Sequence, residues 1–101
     1  MERTKSDKFT GAQITSALKS LPKWKYDAKA ARIEKTYTRK NFLDASAFIQ
    51  QIAGIAEHQD HHPDILLSDY KNVKVMISTH SAGGITQNDF DLARAIEKLA
   101  A

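Results

Sequence analysis

The apolar residues of this chain recur every three or four positions in some segments and every second position in others, a pattern that predicts helices and strands in turn. A first helix is predicted to begin at Thr10, which forms a Thr-x-x-Gln capping box with Gln13, and to end before Pro22. Its apolar face comprises Ile14, Ala17, Leu18 and Leu21. Residues 24–27 and 32–38, of which the second segment follows the two-residue period, are predicted to pair as a hairpin.

The second half of the chain repeats this alternation. Asn41 is a good N-cap for a long helix, which should end near Asp60 or His61 because Pro63 disfavours the helical conformation of the residue before it. The apolar stripe of this helix comprises Phe42, Ala45, Phe48, Ile49, Ile52, Ala53 and Ala56. The remaining predicted elements are strands at residues 65–67 and 73–77, a loop at Gly83-Gly84 and a helix from Thr86 onward.

The predicted order of elements, α-β-β-α-β-β-α, favours an α+β fold in which a four-stranded antiparallel sheet has three helices packed on one face. Residues 9–101 are expected to form a single domain after a flexible terminus of residues 1–8. The second face of the sheet is predicted to be partly apolar, with Tyr37, Leu66 and Met76 on it. Because partly apolar exposed faces often mark interfaces, a homo-oligomer is expected.

The composition of the chain argues against several classes of function. The formal net charge is only +3, from 15 Lys and Arg against 12 Asp and Glu, and the basic residues are scattered, so no nucleic-acid partner is expected. No apolar run is long enough to span a membrane, and the first residues lack the apolar core of a signal peptide, so a cytoplasmic protein without membrane contact is expected. The absence of cysteine excludes a disulfide framework, a thiolate metal site and a cysteine nucleophile.

All four histidines lie between positions 58 and 80, a concentration that points to proton chemistry or metal ligation. The adjacent pair His61-His62 is the best catalytic candidate, because two imidazoles at a forced helix exit project in different directions. His80 follows a predicted strand beside a Gly-Gly loop, where backbone amides become available to a ligand. His58 alone is better explained as a helix-end residue that complements the helix dipole.

Two carboxylates have both a functional and a structural interpretation. Asp60 could fix which nitrogen of a neighbouring imidazole carries the proton, or it could be a solvated residue at a helix end. Asp89 is placed like the last member of a capping box that begins at Thr86, so a carboxylate there is favoured near a helix N-terminus without any ligand.

The chemistry-bearing residues form one long pattern: Glu57-His58-Gln59-Asp60-His61-His62-Pro63-Asp64, then Tyr70, then Ser78-Thr79-His80, then Gly84-Ile85-Thr86 with Asp89. This pattern resembles the pterin-4a-carbinolamine dehydratases, in which a His-His-Pro is followed by an aromatic residue, a Thr-His and a Gly-Leu-Thr-x-x-Asp. The resemblance extends from the helix start at Thr10 through Trp24 to the last helix. It implies the same fold as the periodicity does, and assembly into homodimers or homotetramers.

The resemblance implies dehydration of a 4a-hydroxytetrahydropterin to the quinonoid dihydropterin in tetrahydrobiopterin recycling, without metal or organic cofactor. It implies His61 and His80 as the principal acid and base, and His62 as the residue that serves the other face of the pterin ring. The pterin contacts that it implies are Asp60, Ser78, Thr79, Ser81 and Asp89.

Two positions depart from the family pattern. Ile65 stands where many members have an aromatic residue, so the wall that this ring would provide is missing or is supplied by Tyr70. Ser81 stands where many relatives carry an acidic residue, which removes a charge that would raise the pKa of a neighbouring histidine.

Two other functions stay open on the sequence alone. A metal-binding protein could use His58 and His62 as ligands at i and i+4, joined by Glu57 or His61, although Pro63 argues against a shared helix face. An interaction module is the other alternative, because animal members of the family also act as dimerisation partners of a transcription factor.

Overall fold

The computed structural model describes residues 7–101, and these form three α-helices, four β-strands and a short 3-10 turn. Most of the terminus predicted to be flexible, residues 1–6 of 1–8, lies outside the described residues. The elements are α1 (Gly11–Leu18), β1 (Lys25–Asp27), β2 (Arg32–Thr38), α2 (Phe42–Gln59), β3 (Asp64–Ser68), β4 (Asn72–Ile77), the 3-10 turn His80–Ala82, and α3 (Gln87–Ala100). The predicted order α-β-β-α-β-β-α and the α+β fold class are confirmed.

The strands form one antiparallel sheet in the order β1-β2-β4-β3. Strand β4 therefore lies inside the sheet, and Met76 is paired with Glu34 of β2 on one side and with Asp64 of β3 on the other. Because Asp64 is the first residue of β3 and Met76 is near the end of β4, the chain enters β3 and leaves β4 at the same end of the sheet. This end carries the histidines.

The hydrophobic core lies between the sheet and the helices. Alternate residues of β4, Val73, Val75 and Ile77, have no exposed surface, and the buried stripe of α2 that packs with them comprises Ala45, Phe48 and Ile52. Full burial of each large apolar side chain stabilises the fold by about 1.5–3 kcal/mol. Within the described part of the chain, no helix is both long and apolar enough to cross a membrane.

Side-chain caps set the helix starts, as the sequence predicts. Thr10 and Gln13 form the capping box of α1, and the side chain of Asn41 accepts a hydrogen bond from Asp44 N at the start of α2. Helix α1 is shorter than predicted, because it ends at Leu18 and the chain continues to Leu21 in tight turns. Pro22 has no N–H to donate to Leu18 O, the carbonyl four residues earlier, which instead accepts from Leu21 N at 3.0 Å.

The prediction that Tyr37 lies on the second face of the sheet is wrong. Tyr37 shares a face with Ile33, is buried against the helices, and meets the Phe48 ring edge-on at 5.1 Å between centroids. Leu66 does lie on the open face, the side of the sheet away from the helices, where it is 53% exposed and paired with Lys74, two residues before Met76. The sequence pattern is misleading because Lys35, between Ile33 and Tyr37 on the inner face, is charged.

The charge of Lys35 is met by Glu97 of α3. Glu97 Oε1 lies 2.5 Å from Lys35 Nζ, 2.8 Å from Tyr37 Oη and 2.9 Å from Trp24 Nε1, so one carboxylate joins α3 to the sheet and to the segment before β1. Burial opposes the ionisation of Glu97, but the hydrogen bonds from Lys35, Tyr37 and Trp24 outweigh it and hold the pKa of Glu97 below its usual value. Burial, reinforced by the bond to Glu97, raises the pKa of Tyr37 far above its usual value.

We expect Glu97→Gln to lower the free energy of unfolding by about 1–3 kcal/mol at neutral pH, because three donors lose an ionised acceptor. Since the folded-state pKa of Glu97 is depressed, its contribution is complete above its ordinary pKa of 4.5 and is lost as the pH falls through the lower folded value. Urea unfolding of both proteins at neutral and at acidic pH measures the difference. Glu34→Gln is the matched control, and an equal cost for the two variants would contradict the assignment.

Candidate functional site

The side chain of Asp89 is fully buried in the first turn of α3 and accepts hydrogen bonds from three parts of the chain. Its Oδ1 lies 2.6 Å from His61 Nε2. Its Oδ2 accepts from Thr79 Oγ1 at 3.0 Å and from Thr86 N at 2.8 Å. These donors follow α2, follow β4 and precede α3, so a single carboxylate holds three segments together.

The same contacts fix the tautomer of His61. A carboxylate has no proton to donate and can only accept hydrogen bonds. The proton between Asp89 and His61 therefore resides on Nε2 of the imidazole. Both side chains are completely buried, so no water competes for this bond and it is of the stronger, charge-assisted kind.

The end of α2 turns the two adjacent histidines in opposite directions. Asp60 adopts a left-handed conformation with φ of 53°, its N–H donates to Glu57 O, and the N–H of His61 donates to Ala56 O at 3.1 Å. This arrangement is a Schellman motif, in which a left-handed residue ends the helix. As a result His61 points into the protein, whereas His62 is exposed.

His62 is held by a residue of the same helix end. Its Nε2 lies 2.5 Å from Glu57 Oε2, and the two side chains are 44% and 76% exposed. An ion pair this exposed adds at most about 1 kcal/mol to stability. Its consequence is instead orientation, because the carboxylate selects the nitrogen of His62 that carries a proton.

His80 is presented by a short loop that is closed at its base. Thr79 N donates to Gly84 O at 2.9 Å, and the residues between them form the 3-10 turn His80–Ala82. Gly83 completes the reversal with φ of 73°, a conformation that favours glycine. The imidazole of His80 is exposed on this loop.

The predicted site residues divide into two groups at this end of the sheet. Hydrogen bonds bring His61, Thr79 and Asp89 together, and all three are fully buried. The accessible members are His62, His80 and Ser81, which are exposed, and Asp60 and Ser78, which are half-buried. The pterin contacts at Asp60, Ser78, Thr79, Ser81 and Asp89 stay predictions. What the structure shows is that the buried side chains of Thr79 and Asp89 hold His61 in place.

Tyr70 does not belong to this site within one chain. Asp69 and Tyr70 form the left-handed turn between β3 and β4, with φ of 51° and 52°, at the opposite end of the hairpin from the histidines. At roughly 3.3 Å per residue, the length of β3 separates Tyr70 from the site by about 17 Å. Within one chain, Tyr70 therefore cannot replace the aromatic ring that many family members have at the position of Ile65. The suggestion that it does so is wrong.

Two residues of the site were not assigned to catalysis from the sequence. Both stand in the family pattern, but beyond that the sequence indicates only a possible zinc ligand at Glu57 and a helix cap at Thr86. The contact from Glu57 to His62 depends on the reversal at Asp60, so no fixed helical spacing could reveal it. Thr86 contributes its backbone N–H to Asp89, and its hydroxyl lies 2.9 Å from the Thr79 hydroxyl.

The geometry does not favour a metal centre at the histidine cluster. Among residues 7–101, no group of three or more His, Asp or Glu side chains is arranged to hold a metal ion. His61 is directed to Asp89 and His62 to Glu57, while His58 is exposed on α2. The hypothesis of a zinc site from these residues therefore finds no ligand set in the structure.

Fold and site together define an α+β domain with two exposed histidines and a buried His-Asp pair at one end of the sheet, a class of site suited to acid-base chemistry. The chain belongs to the pterin 4 alpha carbinolamine dehydratase family, whose model matches residues 7–99. The resemblance inferred from the histidine pattern is thus confirmed.

Relatives cover almost the whole chain. A protein of Thermosynechococcus vestitus, provisionally named a pterin-4-alpha-carbinolamine dehydratase, is 41% identical over 94% of this chain and 97% of its own length. A protein of Thermomicrobium roseum with the same provisional name is 43% identical over 88% of this chain and 92% of its own length. The crystal structure of a Brucella melitensis protein described as a transcriptional coactivator/pterin dehydratase has a TM-score of 0.87 at 32% identity, covering 94% of this chain and 100% of that one.

We expect Asp89→Asn to lower the free energy of unfolding by about 1–3 kcal/mol, because an amide presents one acceptor oxygen where the carboxylate serves donors on both. Urea unfolding measures this loss, and ¹⁵N chemical shifts of the His61 ring report whether Nε2 keeps its proton. Asp91→Asn, the same change two residues along α3 at a partly exposed position, is the control. If the two variants had equal stabilities, the organising role of Asp89 would be refuted.

Proposed function

We propose that the chain catalyses dehydration of a 4a-hydroxytetrahydropterin to quinonoid dihydropterin and water, as a hydro-lyase in tetrahydrobiopterin recycling. Family membership supports the substrate class. The observation that carries the proposal is the pair of exposed imidazoles, His62 and His80, on segments that emerge at one end of the sheet. The absence of cysteine from the sequence is compatible with the cytoplasm, which we propose as the compartment.

The reaction needs only proton transfers. An acid protonates the hydroxyl at C4a, and water leaves with the electrons of the C4a–O bond. A base removes the proton from the adjacent ring nitrogen, whose N–H electrons form the new double bond to C4a. Each transfer contributes roughly 10²- to 10⁴-fold in rate when the group is well placed, and imidazoles suit both roles near neutral pH. No metal or organic cofactor enters this scheme.

The burial of the three histidines supports a different assignment of the acid and base roles from the one that the sequence resemblance implies. His61 has no exposed surface and its Nε2 is committed to Asp89, whereas His62 and His80 face the solvent. We therefore assign the acid and base roles to His62 and His80. His61 becomes a positioning residue, which together with Asp89 fixes the backbone from which His62 projects.

The remaining residues support these two groups. Glu57 Oε2, 2.5 Å from His62 Nε2, orients that imidazole through a hydrogen bond. The accessible Asp60, Ser78 and Ser81, each within two residues of His62 or His80 in the sequence, are the proposed polar contacts to the pterin ring.

A second candidate function is that of an interaction module. The Brucella melitensis relative is described as a transcriptional coactivator as well as a pterin dehydratase. In this chain Phe42 and Leu43, at the start of α2, are 58% and 80% exposed, which suits contact with another protein. Because α2 ends at the histidines and begins at Phe42, partner binding retained by a protein with both His62→Ala and His80→Ala would identify this separate activity.

We expect His62→Ala and His80→Ala each to lower kcat/KM for 4a-hydroxytetrahydropterin by roughly 10²-fold or more, since each removes one proton-transfer group. The rate of substrate disappearance, followed by ultraviolet absorbance, measures the effect. His58→Ala is the matched control and should keep the rate of the unaltered protein, because His58 is exposed on the helix before the reversal. Unchanged kcat/KM in both site variants would refute the assignment.

We also propose a homodimer or homotetramer, supported by β3 as an edge strand and by Leu66 exposed on the open face. We expect Leu66→Lys to lower the mass measured by light scattering after gel filtration, because an ammonium group would be placed in the interface. Ser68→Lys, on the same face of the same strand but at its end, should have less effect. The same mass for Leu66→Lys as for the unaltered protein would exclude this surface.

A further inference from the structure

The segment before α1 lies across the loop that presents His80. Phe9 N donates to Ile85 O at 2.6 Å, and the Phe9 ring stacks on Phe90 of α3 with centroids 5.6 Å apart and planes inclined by 22°. Phe9 is partly buried against the hydrophobic core. We call Lys8 and Phe9 the N-terminal strap, because they cross from the start of α1 to the segment between the loop and α3.

The side chain of Lys8 fills the space above Gly84. A Cβ on Gly84 would lie 3.0 Å from Lys8 Cε and 3.4 Å from both Cδ and Cγ, closer than such atoms normally approach. Gly84 is buried, although it has no side chain of its own. The methylene stem of Lys8 therefore covers the backbone of Gly84, a common use of a long charged side chain whose head stays in water.

Gly84 is the residue on which the His80 loop closes. It pairs with Thr79, which directly precedes His80, through hydrogen bonds from Thr79 N to Gly84 O and from Gly84 N to Thr79 O. The Thr79 hydroxyl in turn donates to Asp89 in the interior. The base of the loop is thus held by Asp89 on its inner side and by the N-terminal strap on its outer side.

We propose that Lys8 and Phe9 are positioning residues for His80, acting through Gly84 and Ile85. This inference rests on the proposed catalytic role of His80. The hydrocarbon stem of Lys8, and not its charge, holds the loop, because the atoms nearest to the position that a Cβ of Gly84 would take are Cγ, Cδ and Cε of Lys8. Without the strap the loop gains alternative conformations, and displacement of a catalytic group by about 1 Å can cost up to 10²-fold in rate.

The test compares Lys8→Ala, which removes the stem, with Lys8→Met, which keeps an unbranched stem without the charge. We expect Lys8→Ala to lower kcat/KM roughly tenfold, mainly through kcat, and Lys8→Met to restore it. Phe9→Ala and Phe9→Leu form a second pair with the same expected order. Equal kcat/KM for Lys8→Ala and Lys8→Met, at either level, would overturn the role of the stem.

Amide hydrogen exchange tests the same proposal without any activity. The N–H groups of Ala82 and Gly83 donate to Thr79 O at 3.0 Å, so their exchange reports opening of the loop. We expect Lys8→Ala to accelerate exchange at these two amides while amides of β4 keep their rates, and Lys8→Met to leave both unchanged. Uniform acceleration throughout the chain, or none at the loop, would overturn the proposal.

A double-mutant cycle provides an internal control for the contact itself. Gly84→Ala should displace the Lys8 stem and open the loop, whereas Gly84→Ala added to Lys8→Ala should cause no further acceleration of exchange. Independent effects of the two changes would refute the contact. If the unaltered protein showed no dehydratase activity, the proposed function would fail, while the exchange rates would still decide whether the strap holds the loop.

Discussion

A buried carboxylate loses its hydration and must be compensated by hydrogen bonds from the protein, and this requirement on Asp89 organises the functional end of the molecule. The carboxylate receives His61 Nε2, the Thr79 hydroxyl and the Thr86 amide, one from each of three segments that share no secondary structure element. Because all three donors must converge on one group, the exit of α2, the exit of β4 and the start of α3 have a single mutual arrangement. The positions of the exposed histidines follow from it.

One local turn gives the two adjacent histidines different roles, because one becomes a structural residue and the other a proposed catalytic residue. The Schellman motif at Asp60 sends His61 inward to Asp89 and leaves His62 outside, where Glu57 meets it. A buried imidazole bonded to a buried carboxylate anchors the backbone, and the next residue along the chain then has a defined place at the surface. The His80 loop is anchored in the same way, because Thr79, the residue before His80, donates to Asp89. The backbone positions of both exposed histidines therefore depend on the same buried carboxylate.

Much of this arrangement could be predicted from residue patterns, and the remainder depends on contacts that cross the fold. The capping box of Thr86 and Asp89 and the helix end before Pro63 are local, and local spacing was enough to predict them. The hydrogen bond from His61 to Asp89 joins residues 28 positions apart, so local spacing could not predict it. The sequence therefore indicated that Asp89 caps α3 but not that it also holds His61. Tyr37 was assigned to the wrong face because Lys35 looks like a surface residue until Glu97, 62 positions later, supplies its partner.

In the proposed mechanism a pterin contacts His62 and His80 while His61 stays bound to Asp89. Titration of histidine-¹⁵N-labelled protein with a dihydropterin product, followed by the ring nitrogen resonances, tests it most directly. We expect saturable shifts for His62 and His80 at a common ligand concentration, with His61 remaining protonated at Nε2. Saturable binding that left His62 and His80 unmoved, or that removed the proton from His61 Nε2, would contradict it.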